Sequence, residues 1–270
     1  MKSAVTISLV PEARGGPFVF WDDLAEGCRK AAALGFDAVE VFPPEPEAVK
    51  VEELRALLDD NGLSLAAVGT GAGWVKHKFS LSSPDEATRE KAVDFVRRVM
   101  DFAANFDAPA IIGSMQGKSG DGVTKQVALR YLGNALFKLD DHARDIDGTV
   151  LYEPINRYET NLVNTLGDAV QLLTAIGAEN VKILADLFHM NIEEINIADA
   201  IRNAGSRVGH VHFADSNRRA AGLGHTDFMP IMAALGEIGY EGYLSAEVFP
   251  LPDSDSAARQ TIDMFRSYTG

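Results

Sequence analysis

Four residues of this chain have the types and spacing of a shared ionic site. Glu153 stands in T-V-L-Y-E-P, Asp186 in K-I-L-A-D, His212 in G-H-V-H-F and Glu247 in L-S-A-E-V, with intervals of 33, 26 and 35 residues. Each closes a short apolar or β-branched run that reads as a strand. Three carboxylates converging on one point repel each other and resist ionisation unless a cation compensates them. A divalent metal meets that need. Carboxylate oxygens with one imidazole suit Mn²⁺, Mg²⁺ or Co²⁺ better than they suit a thiolate-rich zinc site, and ligand chemistry alone leaves the choice among the three open. A lone acidic residue at a strand end is often only a solvated group, but four at one recurring place argue against a charged rim without a metal.

Further candidates surround these four. Glu159 follows Glu153 by six positions, and His189 follows Asp186 by three; both fall on loops from which they can reach a substrate. Arg218, six beyond His212, offers a fork of donors to substrate oxygens, whereas Arg219 is expected to face solvent. Lys118, in S-M-Q-G-K, could neutralise an acidic group on a substrate. His210 shares a strand face with His212 one layer deeper, so a packed supporting role is expected. His225 and Asp227 read either as a metal pair or as a loop and helix start. Trp74, Phe42 and Phe249 could wall a pocket. Cys28 is assigned to a core, and the acidic helix faces to solvated surface.

Positioning four such side chains requires a repeated strand. Candidates run over 5–10, 38–42, 64–68, 110–113, 150–153, 181–186, 208–213 and 243–248. Between them lie amphipathic stretches such as Val51, Leu54, Leu57 and Leu58, or Ala92, Phe95, Val96, Val99 and Phe102, at helical spacing. Asn61-Gly62 closes one helix, Ser83-Pro84 opens another, and Gly35, Gly177, Gly205 and Gly239 stand where helices end. Eight βα units in 270 residues predict a single α/β domain over 1–270, a (β/α)₈ TIM barrel, whose strand C-termini form the active face. An open doubly wound sheet is disfavoured, because no G-x-G-x-x-G follows the first strand.

A net charge of -14 opposes binding to a phosphate backbone, so no nucleic-acid partner is expected. One cysteine cannot form an internal disulfide. The first residues lack a long apolar signal region, and no run of about 18 apolar residues occurs. A cytoplasmic protein without membrane contact is expected. The sequence leaves its oligomeric state open, a homo-oligomer included.

Through Y-E-P-I-N-R-Y-E-T-N, A-D-L-F-H-M-N-I-E-E, H-V-H-F-A-D-S-N-R and S-A-E-V, the chain resembles the xylose-isomerase-like superfamily of barrels. It is most similar to ketose 3-epimerases of the D-tagatose and D-psicose type, and within them to 5-keto-L-gluconate epimerases. The match is strongest over residues 150–250. The resemblance implies a metal held by Glu153, Asp186, His212 and Glu247, proton transfer by Glu153 and Glu247, and substrate contacts from His189, Arg218 and Glu159. It implies a small sugar or keto-sugar acid as substrate, epimerised through an enediolate, with C3 the expected centre. An aldose-ketose isomerase or an inosose dehydratase of the superfamily is the nearest alternative. An apurinic endonuclease would need extra histidines where the chain reads A-V-G-T-G and I-I-G-S-M-Q, and a non-catalytic sugar-binding barrel would not need all four ligands.

Overall fold

Buried apolar runs build the wall of a closed barrel. A computed structural model describes residues 1–120 and 122–269. Its strands are β1 (Lys2–Ser8), β2 (Phe20–Trp21), β3 (Ala38–Phe42), β4 (Ser64–Gly69), β5 (Ala110–Ile112), β6 (Val150–Tyr152), β7 (Val181–Asp186), β8 (Val208–His212) and β9 (Tyr243–Ala246). All pair in parallel in the order β2-β1-β3-β4-β5-β6-β7-β8-β9, and β1 pairs with β9 to close the ring. Strands buried on both faces explain the near-continuous apolar runs that marked them in the sequence. This is the (β/α)₈ barrel that the sequence predicts.

The helices are α1 (Leu24–Leu34), α2 (Val51–Asn61), α3 (Ala72–Val75), α4 (Glu86–Ala104), α5 (Lys125–Asp145), α6 (Leu166–Ala175), α7 (Leu187–Glu193), α8 (Ile197–Ala204), α9 (Phe228–Glu237) and α10 (Ser254–Thr269). Each barrel strand is followed by at least one of them. Leu54 and Leu58 of α2, and Ala92, Phe95, Val96, Val99 and Phe102 of α4, are buried against the barrel as their spacing requires. Asp23, Asp85, Thr124 and Thr165 accept backbone hydrogen bonds as N-caps, and Gly35 and Gly62 take left-handed conformations at C-caps. Among the described residues no helix is long and apolar enough to cross a membrane.

Several details depart from the sequence reading, among them His189, which lies in α7 and not on a loop, and the ends of β5, β6, β8 and β9, which stop one or two residues earlier than expected. The first strand starts at Lys2 and ends at Ser8, not 5–10, because Lys2 N–H continues the ladder to Gly242 O and a 3₁₀ turn begins at Pro11. The helix after Ser83-Pro84 begins at Glu86, where Asp85 caps it. The two-residue β2, too short for any periodicity, adds to the part of β1 that β9 does not reach: β9 pairs with residues 2–5, β2 with Ile7 and Ser8. Thr6 secures this corner by accepting from Val19 N–H at 3.0 Å and donating to Ala246 O at 2.8 Å. The loop before β2 thereby folds over the barrel mouth. Finally, Asp140 on α5 is not solvated surface; it is buried and accepts from the N–H groups of Glu179, Asn180 and Val181 at 2.6–3.1 Å, fixing the approach to β7.

Candidate active site

At the C-terminal end of the barrel the four predicted ligands meet. One donor atom each from Glu153, Asp186, His212 and Glu247 lies within 4.8 Å of the others, and all four residues are buried. His212 Nδ1 stands 3.3 Å from Asp186 Oδ2, 3.5 Å from Glu247 Oε2 and 3.7 Å from Glu153 Oε1.

Local structure aims each group. Glu153 is the first residue beyond β6, and its N–H still bonds to Ile112 O. Gln116 clamps it there, donating to Glu153 O at 3.0 Å while accepting from the Tyr152 hydroxyl at 2.7 Å. The opposite wall is Gly113, where an added Cβ would collide with Glu153 Oε2. Asp186 divides its oxygens: Oδ1 caps α7 by accepting from Phe188 and His189 N–H, which leaves Oδ2 for the cluster. That cap also turns His189 back toward the site, with Nε2 at 3.7 Å from both Glu153 Oε1 and Asp186 Oδ2. Asn156 donates from backbone and side chain to His189 Nδ1 at 3.2 and 2.7 Å, so Nε2 carries the hydrogen and points inward. The pairing of β7 with β8 shifts register after Ile183, where Gly209 of β8 is the extra residue, an irregularity three residues before His212.

Arg218 enters from the loop after β8. Its Nη2 lies 2.5 Å from Glu247 Oε2 and 3.6 Å from Asp186 Oδ2, and its guanidinium covers the Phe188 ring at 4.8 Å. The residue has a positive φ of 58°, a strained conformation held from both sides by Arg218 N–H to Asp215 O and Phe249 N–H to Arg218 O, each 2.8 Å. Asp215 organises the loop by accepting from Ser216, Gly222 and Thr226 N–H.

The charges are poorly compensated. Burial pushes the Glu153 carboxyl well above its usual range against the pull of His212, with Glu247 and Asp186 adding to the rise. Burial raises Glu247 also, with His212 and Arg218 opposing. For Asp186 burial is outweighed by His189, His212 and Arg218, and its carboxyl lies below the usual range. Burial would lower His212, but Glu247, Glu40 and Asp186 hold its imidazolium well above the ordinary value. His189 is lowered, chiefly by burial. The cluster thus limits its negative charge by keeping protons, which a divalent cation can replace.

A cavity of about 270 Å³ opens above. Glu153, Glu159, His189, Arg218 and Glu247 form its charged side; Val10, Phe18, Phe42, Ala72 and Val75 form an apolar one. Of the four clustered residues only Glu153 and Glu247 line it, and they come from β6 and β9, with two strands between them. Lys118 lines an adjoining cavity of about 200 Å³ with Trp74, which shares Ser114, Ile155 and Glu159 with the first. Phe249 lines neither, and Arg219 and His225 are exposed. Asp227 caps α9, accepting from Met229 N–H.

Sequence reading passed over Glu40, Asn156, Gln116 and Asp215. Glu40 had a signal: a lone carboxylate in the otherwise apolar A-V-E-V-F strand requires a buried partner. It accepts from His210 Nε2 at 2.7 Å and His212 Nε2 at 3.1 Å. These two imidazoles, against the cost of burial, keep its carboxyl low.

An eight-stranded parallel barrel with three carboxylates and an imidazole gathered at its strand ends defines a TIM barrel with a candidate metal-supported active site. The chain belongs to the xylose isomerase-like TIM barrel family, whose model matches residues 28–268. It is 33% identical over 251 residues to the D-psicose 3-epimerase of Agrobacterium fabrum (strain C58), covering 88% of this chain and 80% of that protein. It is 29% identical over 237 residues to the 3-dehydro-D-guloside 4-epimerase of Escherichia coli (strain K12), covering 84% and 88%. A crystal structure of D-allulose 3-epimerase from Methylomonas sp. superimposes with a TM-score of 0.82 at 26% identity over 99% of each chain. An AP endonuclease, family 2, from Brucella melitensis shares the fold at 20% identity and a TM-score of 0.78.

Proposed function

We propose that this chain is a divalent-metal-dependent sugar epimerase that inverts C3 of a ketose or keto-sugar acid by proton transfer. The observation that carries this reading is the placement of Glu153 and Glu247: two buried carboxylates from non-adjacent strands, both facing one cavity of about 270 Å³. The sugar epimerases among its relatives support the same class.

The donor set fits a metal ion. Among the described residues Glu153 Oε1 is buried without a hydrogen-bond partner, Asp186 presents Oδ2, and His212 turns Nδ1 toward both. Glu153, Asp186, His212 and Glu247 would hold the ion, Mn²⁺ in first place with Mg²⁺ and Co²⁺ as alternatives. When bound it supplies Lewis acidity to neighbouring carbonyl and hydroxyl oxygens, which makes the C–H beside the carbonyl acidic.

The chain's own groups perform the transfer. One carboxylate takes the C3 proton on its oxygen, and the other returns a proton to the opposite face, each acting as base in one direction and acid in the other. Without a bound cation, burial favours the protonated form of both. Arg218, whose Nε–H has no partner among the described residues, and His189 Nε2–H donate to the oxygens on which the enediolate charge develops. Glu159 lines the same side and binds substrate hydroxyls, and the apolar wall from Val10 to Val75 packs the C–H face and excludes water. Lys118 lines the adjoining cavity, which supports a contact with an acidic terminus on the substrate.

The test uses chelator-stripped protein and a panel of ketoses and keto-sugar acids. Activity absent without metal and restored by Mn²⁺, Co²⁺ or Mg²⁺ is expected; full activity in protein shown metal-free by elemental analysis refutes the metal-dependent reading.

A further inference from the structure

Glu40 is fully buried at the centre of the barrel, on β3, across from the strand that carries His210 and His212. An unpaired carboxylate there would be prohibitively costly to bury. Both of its oxygens are taken: Oε2 by His210 Nε2 at 2.7 Å and Oε1 by His212 Nε2 at 3.1 Å. The pairing of β3 with β4 shifts register between Val39 and Glu40, where Ala66 of β4 is the extra residue.

An ionised carboxylate accepts and cannot donate. Both histidines must therefore carry a hydrogen on Nε2. For His212 the consequence lies on the other side of the ring, because Nδ1 is the atom that faces Asp186 Oδ2, Glu247 Oε2 and Glu153 Oε1 at 3.3–3.7 Å. With the hydrogen secured on Nε2, a neutral His212 presents its Nδ1 lone pair to the cluster. With the hydrogen on Nδ1 it would point an N–H at the same oxygens and occupy the place of a cation.

We propose that Glu40 is a positioning residue for the candidate metal site: by accepting from His212 Nε2–H it fixes the ring's orientation and tautomer, so that Nδ1 is preset as the nitrogen ligand. His210 completes the arrangement by satisfying the second oxygen, which pins the carboxylate in place. This rests on the metal-binding reading given above, and it adds a fifth strand, β3, to a site otherwise built from β6 to β9. Carboxylate partners of this kind strengthen metal binding by about 10- to 100-fold.

The experiment compares the whole protein with Glu40→Met, which removes the acceptor at similar size, and Glu40→Gln, which offers one acceptor for two imidazoles. Mn²⁺ affinity of stripped protein is measured by calorimetry, beside the metal-free melting temperature. We expect binding about 10- to 100-fold weaker in Glu40→Met and an intermediate loss in Glu40→Gln. Should Glu40→Met not fold, the Glu40→Gln affinity decides. A second readout is independent of affinity: in ¹⁵N-histidine-labelled wild type, metal-free or loaded with diamagnetic Mg²⁺, the His212 hydrogen bonded to Glu40 is expected on Nε2, and its downfield proton signal should vanish in Glu40→Met. Mn²⁺ affinity within twofold of wild type in the folded variants, or a His212 hydrogen found on Nδ1 and absent from Nε2, overturns the proposal. A wild type that binds no Mn²⁺ at all defeats the metal reading instead, while the nitrogen assignment still decides whether Glu40 sets the ring.

Discussion

Arg218 donates to Glu247 through Nη2 at 2.5 Å, whereas Glu153 Oε1, across the same cavity, has no hydrogen-bond partner among the described residues. The two carboxylates assigned to proton transfer are therefore unequal before any substrate arrives. Arg218 also stands 3.6 Å from Asp186 Oδ2, so its charge competes with a cation for two of the four ligands. Replacing it by methionine should lower kcat/KM by about 10²-fold, through loss of donors to the developing oxyanion. The same change should tighten Mn²⁺ binding, measured by calorimetry. Weaker Mn²⁺ binding in Arg218→Met would show that the guanidinium supports the ligand set instead of opposing it.

Protons retained by the metal-free cluster set a pH dependence. Glu153, Glu247 and His212 have raised values in the folded protein, so their stabilising contribution is complete below the unfolded values and is lost as pH rises through the folded ones. Asp186 and Glu40, held low, contribute above the ordinary carboxylate range and lose that only in acid. His189 and His210, lowered mainly by burial, oppose the trend near their unfolded value of about 6.5 and are neutral in both states above it. Between about pH 7 and 8.5 the raised groups alone govern. The melting temperature of metal-free protein should fall across that window, and saturating Mn²⁺ should raise it and flatten the fall. A metal-free melting temperature that rises with pH there contradicts this charge assignment.

Gly113 tests the placement of Glu153 without touching a charge. A methyl group at this position would occupy the space of Glu153 Oε2. Gly113→Ala should lower kcat/KM by about 10²-fold, because small misplacements of a catalytic group are that costly. Gly236 on α9, where an added Cβ meets nothing within 4 Å, is the control, and Gly236→Ala should leave turnover unchanged and add about 0.5–1 kcal/mol of stability. Equal activity of Gly113→Ala and wild type would mean that Glu153 does not need this wall.

The barrel was legible because eight doubly buried strands leave continuous apolar runs, and because Glu153, Asp186, His212 and Glu247 close four of them. What escaped depended on distance in the chain. Glu40 meets His212 across 172 positions, and Asp140 meets Val181 across 41, so neither carboxylate shows its partner locally. Glu40 could still have been questioned, as a charge inside a five-residue apolar strand. Asp140 had a similar signal, because it stands at helical spacing from Leu132, Leu136 and Ala143 on the buried face of α5, where the α6–β7 loop folds onto it. Asn156 and Gln116 are common polar residues whose roles exist only once the loops at the barrel mouth are in place. The short β2 lacks enough residues to show a period, yet it brings Phe18 to the cavity.

Solvent isotope tests the two-carboxylate transfer most directly. A proton taken by Glu153 or Glu247 passes through an ionisable group, whereas a hydride shift keeps the hydrogen within the substrate. Turnover of the best ketose substrate by Mn²⁺-loaded protein in D₂O should place deuterium at the inverted carbon, expected at C3, in both reaction directions. Glu153→Gln and Glu247→Gln, checked for retained metal, should each abolish epimerisation, while one of them still exchanges the proton of a single epimer. Epimer formed in either direction without solvent deuterium would contradict proton transfer by these two residues.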